Sequence, residues 1–249
     1  MPLLSDLIDL PEQPLISIVG AGGKTTTMYT LARELARQGR RVVTTTTTQI
    51  FMPTQDETEK LIVEAETSTL LKMVKTAWKQ YRHITVATAI NDREKLVSLH
   101  LDIPSLLFHE GGADAVIIEA DGARHRAIKA PAGYEPVVPS ETNVALLLMS
   151  AEAINQPLSE EIAHRPERIA DVTGINLGDV LTPGVVARLV MSERGALKSV
   201  PGTARVYLLI THVTLERREA ALELARLVRD SGRITNVLYS AEVGVWFCE

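Results

Sequence analysis

The chain has 249 residues, 45% of them apolar and 23% charged, with a formal charge of −5. A chain of this composition and length builds a full hydrophobic core without staples, and its acidity excludes the broad basic face that nonspecific binding of nucleic acid or anionic lipid needs. The one cysteine, Cys248, allows neither an internal disulfide nor a cysteine-based zinc site. Residues 1–14 lack the basic start and continuous apolar stretch of a secretion signal, and no apolar run reaches the ~20 residues of a membrane span, so a cytoplasmic protein is expected.

After a lead-in at 1–14, Leu15, Ile16, Ser17, Ile18 and Val19 form a short run rich in β-branched residues and closed by glycine, the pattern of a buried strand. From Thr25 the period changes: Met28, Leu31, Ala32, Leu35 and Ala36 share one helical face until Gly39. Residues 41–48 read as a second strand, 53–66 as irregular and acidic, 67–81 as a helix and 83–89 as a strand. A mixed segment with a short helix follows at 96–109, then a strongly strand-like stretch at 114–119. Residues 120–139 carry too much glycine and proline for regular structure, and a loop that long inside a domain is more often functional than idle. Beyond it come a strand at 143–149, a mainly helical stretch at 151–201 that forms a lid or small subdomain, a strand at 205–210, a helix at 215–230 and a strand at 234–239. Strands alternating with helices predict one α/β domain over 15–249, with a mostly parallel sheet covered on both faces.

The turn between the first strand and helix reads Gly20-Ala21-Gly22-Gly23-Lys24-Thr25-Thr26. Glycines admit close backbone approach, the helix start supplies N–H groups and dipole, Lys24 supplies charge, and the Thr25 hydroxyl can ligate Mg²⁺. A nucleoside triphosphate with Mg²⁺ is the expected ligand, ATP or GTP. Gly20 precedes Gly23 by three positions, two fewer than in the common phosphate-binding loop; the shorter form is that of the Mur ligases and their relatives.

Glu119 and Asp121 stand where the 114–119 strand ends, the usual place for a carboxylate beside nucleotide-bound Mg²⁺, and one of the two is expected to face the metal. Five consecutive threonines, 44–48, are either strand formers bonded to backbone or, through Thr46 and Thr47, contacts for phosphate or a second substrate. Arg124, His125, Arg126 and Lys129 cluster just after the acids, and His164 and Arg165 form a second basic group. Both groups admit binding of phosphate or an anionic second substrate, or a solvated surface. Arg124 or Lys129 is expected to stabilise developing charge.

The blocks 17–26, 43–47, 119–124, 129–132, 135–139 and 164–167 together resemble the YqeC-type selenium-dependent molybdenum hydroxylase accessory proteins. The resemblance implies a P-loop NTPase-like fold and a role in maturing a molybdenum hydroxylase, with that enzyme or a molybdenum cofactor intermediate as partner. Relatives often carry an Asn-Lys-x-Asp-like tetrad after a late strand, where this chain has Thr211-His212-Val213-Thr214. Without that carboxylate, selectivity for guanine lacks its usual cause, which favours ATP.

The leading expectation is thus an Mg²⁺-dependent ATPase or phosphotransferase. The alternatives are a nucleotide-switched carrier or chaperone with little turnover, and a Mur-like ATP-dependent ligase suggested by the loop spacing alone.

Overall fold

Alternation decides which way each strand faces. In β1 (Leu15–Gly20), Ile16 and Ile18 point to one face while Leu15 and Val19 point to the other. The same period runs through β8 (Ala115–Glu119) and β10 (Val144–Ser150), so two apolar layers form on a single sheet. The computed structural model describes residues 2–241 and the backbone of 246–247; Cys248 lies outside them.

In chain order the remaining elements are α1 (Leu4–Leu7), α2 (Lys24–Arg37), β2 (Val42–Thr46), β3 (Gln49–Phe51), β4 (Lys60–Val63), α3 (Thr67–Ala77), β5 (His83–Ala87), β6 (Ala89–Ile90), β7 (Lys95–Val97), α4 (Ile103–His109) and β9 (Ile128–Lys129). After β10 come β11 (Ala163–His164), α5 (Pro166–Thr173), α6 (Pro183–Val190), β12 (Arg205–Thr211), α7 (Arg218–Arg229), β13 (Asn236–Ser240) and β14 (Trp246–Phe247). Among the described residues the main sheet has the order β14-β13-β12-β10-β1-β8-β2-β5-β4, parallel throughout except at β14. Helices α1 and α2 cover one face and α3 to α7 the other, as the alternation of strands and helices predicted.

Three details depart from the reading of the sequence. The acidic stretch at 53–66 contains β4, which pairs with β5 at the sheet edge. The helix in residues 151–201 amounts to two α-helices of eight residues each and a short 3₁₀ turn, and Ile154, Leu158, Ile169 and Leu181 join the same apolar layer as the sheet. Finally, β3, β6 and β7 make a separate small antiparallel sheet. Strands of two or three residues are too short to show an alternation that could be read.

Candidate functional site

The central strand β1 lies between β10 and β8, and its loop emerges at the carboxyl edge of the sheet. Gly20, Gly22 and Gly23 all take positive φ (101°, 78° and 108°), which side-chain-bearing residues avoid. A Cβ on Gly20 would lie 2.1 Å from the Leu148 carbonyl oxygen, and one on Gly22 would lie 2.6 Å from the Ser150 nitrogen. The loop is therefore pressed onto the end of β10, and the Thr211 hydroxyl of β12 donates to Gly22 O from the far side (2.8 Å). Intrahelical bonding in α2 begins with Thr27 N–H to Gly23 O (2.9 Å), and Gly23 has no side chain to cap the turn. The first-turn N–H groups are left for a ligand, at the positive end of the helix dipole.

Glu119 ends β8 with the parity of Ala115 and Ile117, the face against α2. There its Oε2 accepts from the Thr25 hydroxyl at 2.7 Å, and its Oε1 lies 3.7 Å from Lys24 Nζ. Burial pushes the Glu119 carboxyl above its ordinary range, opposed by Lys24 and by the Thr25 hydrogen bond. Lys24 Nζ donates to Gly20 O (2.8 Å) and lies 3.4 Å from Asp121 Oδ1.

Asp121 shares the nominal parity of Glu119 but does different work. Both of its oxygens accept from Gly20 N–H (3.2 and 3.1 Å), which ties the base of the loop to the neighbouring strand. Its Oδ2 then meets Lys129 Nζ at 2.9 Å. Lys129 also donates to Gly122 O (2.6 Å) and Glu135 Oε2 (2.9 Å), and Arg165 forks onto Glu135 at 2.7 and 3.0 Å. Burial of Glu135 pushes its carboxyl up, but the bonds from Arg165 and Lys129 outweigh it and hold the group at about 2. This chain of charges runs from the glycine loop to the 122–136 segment, which Lys198 fastens again by donating to the carbonyls of Ala132, Gly133 and Glu135.

A cleft of about 770 Å³ opens above the loop. Of the residues singled out in the sequence, Gly22, Gly23, Lys24, Thr25, Thr26, Glu119, Arg124, Arg126, His164 and Arg165 line it. Gly20 and Ala21 form the base of the loop, where Ala21 N–H donates to Leu148 O. Thr46 and Thr47 donate their hydroxyls to the carbonyls of Glu119 (2.8 Å) and Val137 (2.6 Å), the backbone-bonded arrangement, while Thr48 lines the cleft. Lys129 is also corrected: expected at the substrate, its side chain is only 1% exposed and is spent on Asp121 and Glu135. Pairing of β9 with β11 turns it inward, a nonlocal contact with no local sequence signal. His164 is held near 4, first by burial and then by the charges of Arg165, Lys129 and Arg124, so its ring is neutral at pH 7.

Sequence reading also missed the opposite wall. Phe51 and Lys95 come from the small sheet, with Lys95 Nζ 4.4 Å above the Phe51 ring and the His125 ring 6.0 Å from it. Among the described residues no group of three or more His, Cys, Asp or Glu side chains is placed to hold a metal ion. No helix among them is long and apolar enough to cross a membrane.

A mostly parallel sheet with a glycine loop running from its central strand into a helix, and an acid on the adjacent strand, defines a protein of the P-loop NTPase-like fold. The family model described as YqeC protein matches residues 16–167. The uncharacterized protein YqeC of Escherichia coli (strain K12) is 31% identical over 228 residues, covering 88% of this chain and 85% of that one. The chain belongs to the YqeC family. Similar solved structures include FtsY from Mycoplasma mycoides (14% identity, TM-score 0.41), of which the chain spans 66%, just under two thirds, while 97% of this chain is covered. The MinC:MinD cell division complex of Aquifex aeolicus matches at 12% identity and TM-score 0.46, covering 91% of this chain and 81% of that one. FlhF complexed with GMPPNP and Mg²⁺ matches at 14% identity and TM-score 0.41, with 94% and 66% covered.

Proposed function

We propose that this chain binds a nucleoside triphosphate with Mg²⁺ and acts as an ATPase or phosphotransferase in the maturation of a molybdenum hydroxylase, selenium-dependent by family resemblance. The observation that carries the nucleotide part is the Thr25 hydroxyl on Glu119 at 2.7 Å, beside Lys24, at an uncapped helix start. The donor set suits the group: a hydroxyl and a desolvated carboxylate would hold Mg²⁺, which when bound neutralises phosphate charge and orients the terminal group. Thr25 and Glu119 are the residues we assign to it. The first-turn N–H groups and Lys24 would take the phosphate oxygens, Lys24 turning from Gly20 O. Asp121 keeps the loop in shape through Gly20 N–H. Arg124, with no hydrogen bond or ion pair among the described residues, is free to meet developing negative charge. Thr214 stands where a guanine-reading carboxylate would be expected, which supports ATP.

The experiment is phosphate release from Mg·ATP and Mg·GTP, with and without a client molybdenum hydroxylase in its immature form. Mg²⁺-dependent release that rises with the client is expected. Tight binding without turnover, client present, would sink the ATPase reading and leave a nucleotide-switched carrier.

A further inference from the structure

We propose that the outer half of the cleft is a second small-molecule site, for an anionic ligand that carries a flat aromatic ring. The proposal rests on reading Thr25 and Glu119 as the terminal-phosphate end of the nucleotide site. On that reading a phosphate chain would run back across the start of α2 and the nucleoside would leave on the β10–β12 side, where Thr211 touches the loop and His212 bonds Ser150. The cleft extends the other way, past Glu119 and over β8 and β2 to Phe51 and Lys95. That part would lie beyond the nucleotide.

Its charge is unbalanced. Glu119 is answered by Lys24 and Glu135 by Arg165 and Lys129, which leaves Glu57 as the remaining acid of the lining against Arg124, Arg126 and Lys95. Arg124 has no hydrogen bond or ion pair among the described residues, and Arg126 uses one nitrogen on Glu161 O. A guanidinium fork held ready in a cleft matches a phosphate or carboxylate.

The apolar part is flat. Phe51 is 54% exposed, an unusual position for a phenyl ring, and His125 lies nearly parallel to it at 26°. Arg124 and His125 sit consecutively in the left-handed region, at φ 49° and 58°. A turn needed for its path alone would be served by glycine; keeping two large side chains there, both lining the cleft, points to work done by the side chains.

The test uses flavin mononucleotide, a fluorescent flat ring bearing a phosphate, and riboflavin, its uncharged parent, titrated into the full chain with and without saturating Mg·AMP-PNP. Flavin mononucleotide is expected to bind with AMP-PNP present, and riboflavin roughly tenfold or more weakly, the loss of a charge-assisted contact. Arg124→Ala and Phe51→Ala should each weaken flavin mononucleotide by roughly tenfold, the latter through lost stacking, with AMP-PNP affinity measured separately by calorimetry. Lys24→Ala should lose AMP-PNP and keep flavin mononucleotide. If wild type bound no AMP-PNP, the nucleotide reading would fail while the flavin titrations still decided this one. Mutual exclusion of the two ligands, equal binding of riboflavin, or no binding of flavin mononucleotide would each overturn the second site.

Discussion

Replacing Lys129 by methionine separates a buried strut from a substrate contact. The ammonium lies 2.9 Å from both Asp121 and Glu135 and 2.6 Å from Gly122 O, with the lysine, aspartate and glutamate side chains 1%, 3% and 13% exposed. Removing one partner of a buried pair costs about 3–5 kcal/mol, because the charge left behind stays desolvated. Asp121 keeps Gly20 N–H and Lys24, and Glu135 keeps Arg165, so the lower end, about 3 kcal/mol, is expected. Urea unfolding gives the value directly, provided the slope is unchanged. Should Lys129→Met fail to fold, Glu135→Gln alone provides the milder measurement. A change within about 0.5 kcal/mol, as for an ordinary surface lysine, would refute the reasoning.

Glu119→Gln is expected to abolish Mg²⁺ dependence of nucleotide binding in calorimetry, whereas Asp121→Asn should chiefly lower the unfolding midpoint by loosening Gly20; reversed outcomes would exchange their roles. Gly22→Ala should destabilise the fold by about 1–3 kcal/mol in urea, because its Cβ would lie 2.6 Å from Ser150 N at φ 78°; no loss would mean the loop yields easily. His83 is 1% exposed, shares a hydrogen bond with the Thr44 hydroxyl through Nε2 (3.0 Å), has no partner at Nδ1 among the described residues, and is lowered to about 4 by burial and then by Arg33. The unfolded chain therefore binds that proton first, so stability is full above about pH 6.5 and falls by about 3 kcal/mol toward pH 4. Denaturation midpoints against pH, compared with His83→Asn, should show this component vanish in the variant, and identical profiles would count against it.

The glycine loop, α2 and the acid on β8 were legible because each is a local pattern: an apolar run, a glycine turn and a helical period in immediate succession. The sheet followed from the same alternation, since Ile16 and Ile18 or Val116 and Ile118 face consistently to one side. Glu119 and Asp121 could be named together but not told apart, because the bond from Gly20 N–H to Asp121, beyond the end of β8, is a tertiary contact. The basic loop read as a single patch, yet β9–β11 pairing buries Lys129 and leaves Arg124 open. Phe51 and Lys95 escaped notice because the small sheet has strands of two or three residues, below the length at which period tells.

Calorimetric titration of ATP with Mg²⁺ into the folded chain, beside Lys24→Ala and beside the same titration in excess chelator, tests the central claim most directly. The expected result is saturable one-to-one binding that chelator weakens and Lys24→Ala largely removes, with circular dichroism unchanged in the variant. Absence of binding by ATP and by GTP to the folded wild-type chain, or equal affinity in Lys24→Ala, would contradict the assignment of this loop to a nucleoside triphosphate.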